Sequence, residues 1–305
     1  MQRHYKEIVS GFKNWKQFKH AENYLLYPEN IGPYLSIDEV SLSKGELYTF
    51  ITNKKGLGKK KTIVACIKGT KSQDIIDVVH RIPLIIREKV EEITLDMATN
   101  MQLAAKLNFP NAALVTDRFH VVKLAMEAVQ HLRIKLRWQE IDIENKAIKS
   151  ANNQKIKYIP FTFDNEDSPK QLLARSRYIL TKKPNNWTDN QRIRAEILFQ
   201  NYPILEQGYK HTLEFRNLYE NKNKETARKE FLDWIAKTKL LKINVFNTVA
   251  NSIESHLENI LNFFNNRNTN ANAESFNSKI KLFRANQRGV IDVKFFLFRL
   301  EKLFA

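Results

Sequence analysis

Three carboxylates lie where secondary-structure patterns begin or end along this sequence. Asp38 lies in the apolar run Tyr34–Val40, Asp96 is near the end of a second run at Val90–Met97, and Glu274 lies in the polar start of a late predicted helix. Lys and Arg outnumber Asp and Glu by 50 to 33, giving a net charge of +17, so the chain attracts polyanions such as nucleic acid. A few acids kept among that positive charge could hold Mg²⁺ against phosphate, which is the minimum requirement for phosphodiester chemistry.

The segment around Asp38 and Asp96 predicts alternating strands and helices. Three strand-like runs are joined by short turns at Ser43-Lys44-Gly45 and Gly56-Leu57-Gly58, and such short connections predict antiparallel neighbours. A helix before the fourth strand should return the chain parallel within the same sheet. The resulting order, βββαβαβ, is the one that a ribonuclease H-like mixed sheet requires, and other α/β folds are compatible with it. The predicted strands are Tyr34–Val40, Glu46–Asn53, Lys61–Gly69, Val90–Met97 and Ala112–Asp117, and the predicted helices are Ser72–Arg81 and about Asn100–Leu107.

The rest of the chain is expected to be helical. Near the N-terminus, Phe12, Trp15 and Phe18 are spaced as one helix face, which favours core or interface packing over a platform for nucleobases. The sequence predicts a fold of four segments: an N-terminal helical segment (1–33), the first part of an α/β core (34–120), a long all-helical insertion (121–268), and a C-terminal core helix carrying Glu274 (269–305).

Each acid has an ordinary explanation when it is taken alone. An Asp within a strand is often a satisfied polar residue, an Asp at a strand end often caps the next element, and a helical Glu is often a solvated ion-pair partner. Topology strengthens the case, because a right-handed crossover would place the fourth strand beside the first. Asp38 and Asp96 would then converge and suit two metal ions about 3.5–4 Å apart. Glu274 projects nearly opposite the apolar stripe Phe276, Ile280 and Phe283, which can pack on the sheet.

A cluster of lysines surrounds the second predicted turn. Such a positive hairpin tip could follow a DNA backbone, although a solvated surface is the commoner fate of any single cluster. The cluster consists of Lys54, Lys55, Lys59, Lys60 and Lys61.

Four fragments in a fixed order resemble DDE transposases of bacterial insertion sequences, and most specifically the ISL3 family. They are SIDEV, LDMATN, FPNAALVTDRFHVVK and NANAESFNSKIK, and the resemblance extends over nearly all of the chain from Tyr34 to Leu300. It implies that Asp38, Asp96 and Glu274 form the DDE triad, with the helical insertion accounting for the long gap before Glu274. Asp117 is the competing second acid. With Asp96 preferred, Asp117 and His120 resemble the (Cys/Asp)-x-x-His element of related transposases, which supports the site.

The resemblance also implies an activity and partners. Two Mg²⁺ (or Mn²⁺) ions would serve DNA cleavage at the ends of the insertion sequence, followed by strand transfer into target DNA. DNA would be the substrate, and the protein would act as a homo-oligomer on it. Further residues in the matching motifs are candidate DNA contacts: Arg118, Lys123, Asn277, Lys281, Arg284 and Arg288.

The sequence departs from the family before the first acid. Full-length relatives carry a zinc-binding segment and a helix-turn-helix region there, whereas 37 residues precede Asp38 and Cys66 is the single cysteine. We therefore expect end recognition by a separate companion protein, with a truncated element as the other reading. A ribonuclease H-like nuclease that hydrolyses without joining, and a catalytically silent DNA-binding derivative, remain open alternatives. The chain has neither an apolar stretch of membrane-spanning length nor a signal-peptide pattern, which favours the cytoplasm, with work at the nucleoid.

Overall fold

The computed structural model describes residues 4–43 and 45–305, which form two compact units. One unit comprises Met1–His120 together with Glu258–Ala305, and the other comprises Val121–Leu257. The chain thus returns to the first unit at Glu258, earlier than the expected residue 269. The described helices include none that is long and apolar enough to cross a bilayer.

The first unit is built on one mixed six-stranded sheet with the order β1-β4-β3-β2-β5-β6. Strands β2, β3 and β4 are antiparallel neighbours, whereas β5 runs parallel to β2 and β6 runs parallel to β5. The predicted mixed α/β class is therefore confirmed, and the fourth predicted strand does lie beside the first. The strands are β1 (Tyr24–Leu26), β2 (Tyr34–Ser43), β3 (Glu46–Asn53), β4 (Ile63–Lys68), β5 (Glu92–Leu95) and β6 (Ala113–Thr116).

Strand β1 was not predicted. It has three residues and pairs antiparallel with β4 at the sheet edge, and Pro28 follows it almost at once. A run this short carries too little alternation to be recognised as a strand. In the predicted turn between β2 and β3, Lys44 lies outside the described residues.

One face of the sheet carries an apolar core because side chains alternate along each strand. Leu35 and Ile37 on β2, and Ile93 and Leu95 on β5, are buried in one cluster with residues of the helices that cover this face. The helices that follow the strands in this part of the chain are α1 (Ser72–Val79), α2 (Leu84–Arg87) and α3 (Thr99–Asn108).

The opposite face is covered partly by the late helix that carries Glu274. Phe276 and Ile280 are fully buried, and Phe283 packs against the same cluster, as the predicted apolar stripe requires. The Phe276 ring meets Phe50 of β3 edge to face, with 5.8 Å between the ring centroids. The C-terminal helices of this unit are α10 (Leu257–Leu261), α11 (Phe263–Asn266), α12 (Ala271–Asn286) and α13 (Val293–Phe304).

The prediction of an N-terminal helix is wrong. Gly11 has φ +74°, a left-handed conformation through which an α-helix cannot continue, and the backbone is extended again at Trp15. Phe12 and Trp15 are nevertheless buried in the core cluster that contains Phe276, so the prediction of core packing is confirmed. The segment forms a π-helical turn at Tyr5–Val9 and 3₁₀ turns at Phe12–Asn14 and Pro28–Asn30.

The second unit is helical, with Trp234 near the centre of its core. The Trp234 ring stacks on His211 at 4.4 Å and lies 4.5 Å from Phe215, measured between ring centroids. The remaining helices are α4 (Arg118–Asn153), which begins in the first unit, α5 (Pro169–Arg175), α6 (Asp189–Asn201), α7 (Pro203–Leu218), α8 (Lys224–Leu240) and α9 (Asn244–Ser255).

Candidate active site

Three aspartates continue one row across the parallel strands. Ser36 of β2 is paired with Thr94 of β5, and Thr94 is paired with Val115 of β6. Two positions further along each strand come Asp38, Asp96 and Asp117. Because side chains two positions apart share a face, the pairing directs all three carboxylates to the face opposite the Leu35 and Ile93 core.

Asp38 is held from both sides of its carboxylate. Its Oδ1 accepts from the Glu39 amide at 2.8 Å, and its Oδ2 accepts from Asn277 Nδ2 at 2.6 Å. Burial raises the pKa of Asp38, while these two donors and the nearby His120 oppose the rise and Asp96 adds to it. The helix that carries Glu274 is thereby joined to β2 at the first acid of the expected triad.

Asp96 follows the last residue of β5 and is partly buried. Its Oδ1 accepts from the Ala98 amide at 2.8 Å, at the residue that precedes α3. This is a local Asx-type bond and not the helix cap that the sequence left open for Asp96, because Ala98 occupies the N-cap position of α3. It leaves the other carboxylate oxygen for further contacts, and the charge of Asp96 raises the pKa of both Asp38 and Glu39.

Among the described residues, Asp117, His120 and Glu274 form a group of possible metal ligands, each offering one ligand atom within 4.8 Å of the others. Asp117 is 2% exposed. Its Oδ1 accepts from the Asn270 amide at 3.3 Å, and within the described structure its buried Oδ2 has no hydrogen-bond partner. His120 Nε2 lies 3.9 Å from that oxygen. Burial raises the pKa of Asp117 despite these neighbours.

Glu274 lies in the first turn of α12 and is exposed. Desolvation raises its pKa, the charges of Asp117 and Asp38 raise it further, and His120 opposes them. The pKa of Glu274 is therefore raised by aspartates from both β2 and the end of β6. Asp117 is the aspartate that shares the ligand group with Glu274, and Asp38 also acts on the pKa of Glu274.

These residues suit a divalent cation. A buried carboxylate oxygen without a donor is costly, and a hard cation with oxygen ligands removes that cost. Desolvation by burial is the first cause of the raised pKa values at Asp38, Asp117 and Glu274, and the charges of neighbouring acids raise those of Asp38 and Glu274 further. Asp117, His120 and Glu274 offer such a cation two carboxylates and an imidazole within reach of one another.

The lysine cluster is only partly the exposed tip that was predicted. The prediction that Lys54 belongs to this exposed tip is wrong. Lys54 is 7% exposed, and its ammonium donates to Glu92 Oε1 at 3.2 Å and to Thr94 Oγ1. An ammonium sequestered in this way cannot reach a DNA backbone in this conformation. The exposed members are Lys55, Lys59, Lys60 and Lys61.

Other predicted DNA contacts have protein partners. Arg284 donates to the Ser41 carbonyl at 2.9 Å, and Asn277 is committed to Asp38. Arg288, the last candidate DNA contact along the chain, is exposed and lies beyond the end of α12, with a φ of +55°. Lys123 and Lys281 are exposed, Lys123 lies 3.7 Å from Glu127, and Arg118 is partly buried.

Sequence reasoning missed the polar network beside the acids. Glu92 is 2% exposed and its Oε2 accepts from Asn266 Nδ2 at 3.1 Å. Asn270 is buried and contributes its backbone amide to Asp117. The available signal was the alternation of Glu92, Thr94 and Asp96 along β5, which marks one polar strand face.

Comparison with known proteins gives a consistent result. The family profile of ISL3-type DDE sequences, described as transposase, matches residues 35–300. A transposase for the insertion sequence element IS1001 of Bordetella parapertussis is 23% identical over 275 residues, covering 89% of this chain. The chain spans 61% of the length of that relative. No solved structure matches.

Proposed function

Since the chain belongs to the ISL3 family of DDE transposases, we propose that it catalyses metal-dependent cleavage of DNA at insertion-sequence ends and transfer of the freed strand into target DNA. The observation that carries this proposal is the convergence of Asp38, Asp96 and Asp117 on one sheet face, with Glu274 on the covering helix. We further propose that the sheet and α12 form a ribonuclease H-like core, because the strand order and the position of the acids agree with that arrangement.

Asp38, Asp96 and Glu274 are the proposed ligands of two Mg²⁺ or Mn²⁺ ions, with Asp117 as the alternative second acid. When bound, such ions activate a hydroxyl nucleophile and stabilise the leaving oxygen of an in-line phosphoryl displacement. Asn277 holds the Asp38 carboxylate through its amide, which fixes the direction of the free lone pairs.

Asp117 and His120 support this site in the proposal. The Asn270 amide fixes one Asp117 oxygen, and the other faces His120 at 3.9 Å. His120 lies beside both acids and acts against the rise in pKa of Asp117 and of Glu274.

The proposed substrate is DNA, both at element ends and at the target. Exposed lysines after β3 supply phosphate contacts, and the net charge of +17 strengthens the attraction. We propose action as a homo-oligomer on DNA, in the cytoplasm at the nucleoid.

Nicking of a supercoiled plasmid in Mg²⁺ or Mn²⁺ tests the chemistry. Asp38→Asn, Asp96→Asn and Glu274→Gln are each expected to remove nicking while DNA affinity in EDTA stays within about twofold, since the carboxylates are not phosphate-binding groups. Asp142→Asn, the same change at an exposed acid in the second unit, is the matched control.

The outcome for Asp117→Asn assigns the second acid. Complete loss of nicking there, with nicking retained in Asp96→Asn, would transfer the triad position to Asp117. Joining of a pre-cleaved element end to a target plasmid distinguishes a transposase from a nuclease that only hydrolyses. A wild-type protein that neither nicks nor joins would refute the proposal.

A further inference from the structure

The turn after β3 is fastened to β5 by a buried ion pair. Lys54 begins this turn, and its ammonium donates to Glu92 Oε1 at 3.2 Å and to Thr94 Oγ1. Lys54 and Glu92 are 7% and 2% exposed, so the pair is desolvated. Burial lowers the pKa of Lys54, and the charge of Glu92 opposes that effect. Its partners Glu92 and Thr94 lie on β5, the strand that leads directly to Asp96.

The same turn also holds helix α12. Asn272 Nδ2 donates to the Lys54 carbonyl at 3.4 Å, and Lys279 Nζ donates to the carbonyls of Gly58 at 2.8 Å and Leu57 at 3.3 Å. Asn272 and Lys279 are seven residues apart, which is close to two helical turns, so both lie on one flank of α12.

Glu274, and Asn277 that contacts Asp38, lie on the other flank of that helix. At 100° per residue, Phe276 and Ile280 separate the Asn272 flank from the flank with Asn277 and Glu274. Asn277 bonds to Asp38 there. Helix α12 is thus fixed on one side by the turn and on the other by β2, and the turn itself is fixed to β5.

We propose that the segment Lys54–Gly58, the clamp turn, positions Glu274 relative to Asp38 and Asp96, with Lys54 as its central positioning residue. The inference rests on the proposed function, because the positioned group is the proposed metal site. In this inference Lys54 holds the turn against β5 and does not contact phosphate. Changes to residues that orient metal ligands typically cost 10- to 100-fold in metal affinity or activity.

Two pairs of variants test the clamp turn. Lys54→Met removes the buried ammonium, and Lys55→Met makes the same change at the exposed neighbour. Lys279→Met removes the link from α12 to the Gly58 carbonyl, and Lys149→Met, at an exposed helical lysine of the second unit, is its control. Mn²⁺ affinity is measured by titration with electron paramagnetic resonance, without DNA. DNA affinity is measured by fluorescence anisotropy in EDTA at several salt concentrations.

The lysines of the clamp turn contacts, Lys54 and Lys279, should differ from the exposed Lys55 in how their replacement changes Mn²⁺ affinity and the salt slope of DNA binding. Lys54→Met and Lys279→Met are expected to weaken Mn²⁺ binding about 10-fold or more and to leave the salt slope of DNA binding unchanged. Lys55→Met should leave Mn²⁺ affinity unchanged and reduce the salt slope by about one. A loss of folding alone would lower the melting temperature without changing Mn²⁺ affinity in the folded fraction.

Opposite results overturn the inference. If Lys54→Met binds Mn²⁺ like the wild type but loses DNA affinity as Lys55→Met does, Lys54 is a DNA contact. If Lys54→Met does not fold, Lys279→Met decides, and wild-type Mn²⁺ affinity in that variant refutes the clamp. Absence of Mn²⁺ binding by the wild type would instead refute the proposed function, and the clamp would be refuted with it.

Discussion

Replacing Asp117 by Asn should stabilise the metal-free protein. The carboxylate is 2% exposed, its Oδ2 lacks a hydrogen-bond donor among the described residues, and burial raises its pKa. An amide of the same shape can still accept from the Asn270 amide and carries no charge. Relief of an unsatisfied buried charged group is worth about 1–3 kcal/mol. For a protein unit of this size, that corresponds to a rise of roughly 3–9 °C in melting temperature.

The gain should depend on pH in a defined direction. Because the native pKa of Asp117 lies above its unfolded value, the native state binds more protons in the window between them. The wild type therefore loses stability as pH rises through that window, and the loss is complete above the native pKa. The advantage of Asp117→Asn should be full above the native pKa and should disappear as pH falls below the unfolded value, near 4.

Thermal and urea unfolding at pH 8, with and without Mn²⁺, provide the assay. A cation that binds only the folded state stabilises it by about 2.7 kcal/mol at 100 times its Kd, so Mn²⁺ should stabilise the wild type and stabilise Asp117→Asn less. Asp142→Asn is the exposed control and should change stability by less than about 0.5 kcal/mol. A variant that is less stable than the wild type at pH 8 without metal would refute this reasoning.

Two further predictions concern other parts of the fold. Burial lowers the pKa of His211 to about 4, so the free energy of unfolding should fall as pH drops from 6.5 to 4. In urea titrations, His211→Gln should remove up to about 3 kcal/mol of that pH dependence. An unchanged pH profile would exclude His211 as the cause. Gly58→Ala should cost about 1–2 kcal/mol, because its φ is +66°. An added Cβ there would also lie 2.7 Å from the Lys279 ammonium, so Gly58→Ala should lower Mn²⁺ affinity. Gly45→Ala is the control, because φ is +82° there and the space is open, and it should lower Mn²⁺ affinity less. Equal effects of the two variants on Mn²⁺ affinity would leave backbone strain as the whole explanation.

The sequence predicted the strands that carry the acids because their patterns are local. Alternation along β2 and β5 places Leu35 and Ile93 on one face and Asp38 and Asp96 near the other, and a short-range pattern is sufficient to recognise this. The apolar stripe of α12 is also local, so the packing of Phe276 on the sheet was predictable.

Contacts between distant segments could not be read in the same way. Five lysines near two glycines have the composition of an exposed tip, and only the fold shows that Lys54 meets Glu92. The burial of Asp117 likewise depends on Asn270, which is far along the chain. The N-terminal helix failed for a local reason that spacing alone does not reveal, the positive φ of Gly11.

The buried ion pair and the acids make one electrostatic argument. Removing a charge from water costs free energy that an opposite charge offsets in part, and Lys54, although paired with Glu92, still has a pKa lowered by burial. Asp38 and Asp117 have amide donors and His120 nearby, yet their pKa values remain raised. Hydrogen bonds therefore do not fully compensate the aspartates, whereas the neighbouring glutamate is paired. This difference between adjacent carboxylates on one sheet face is what a site that binds a cation from solution requires.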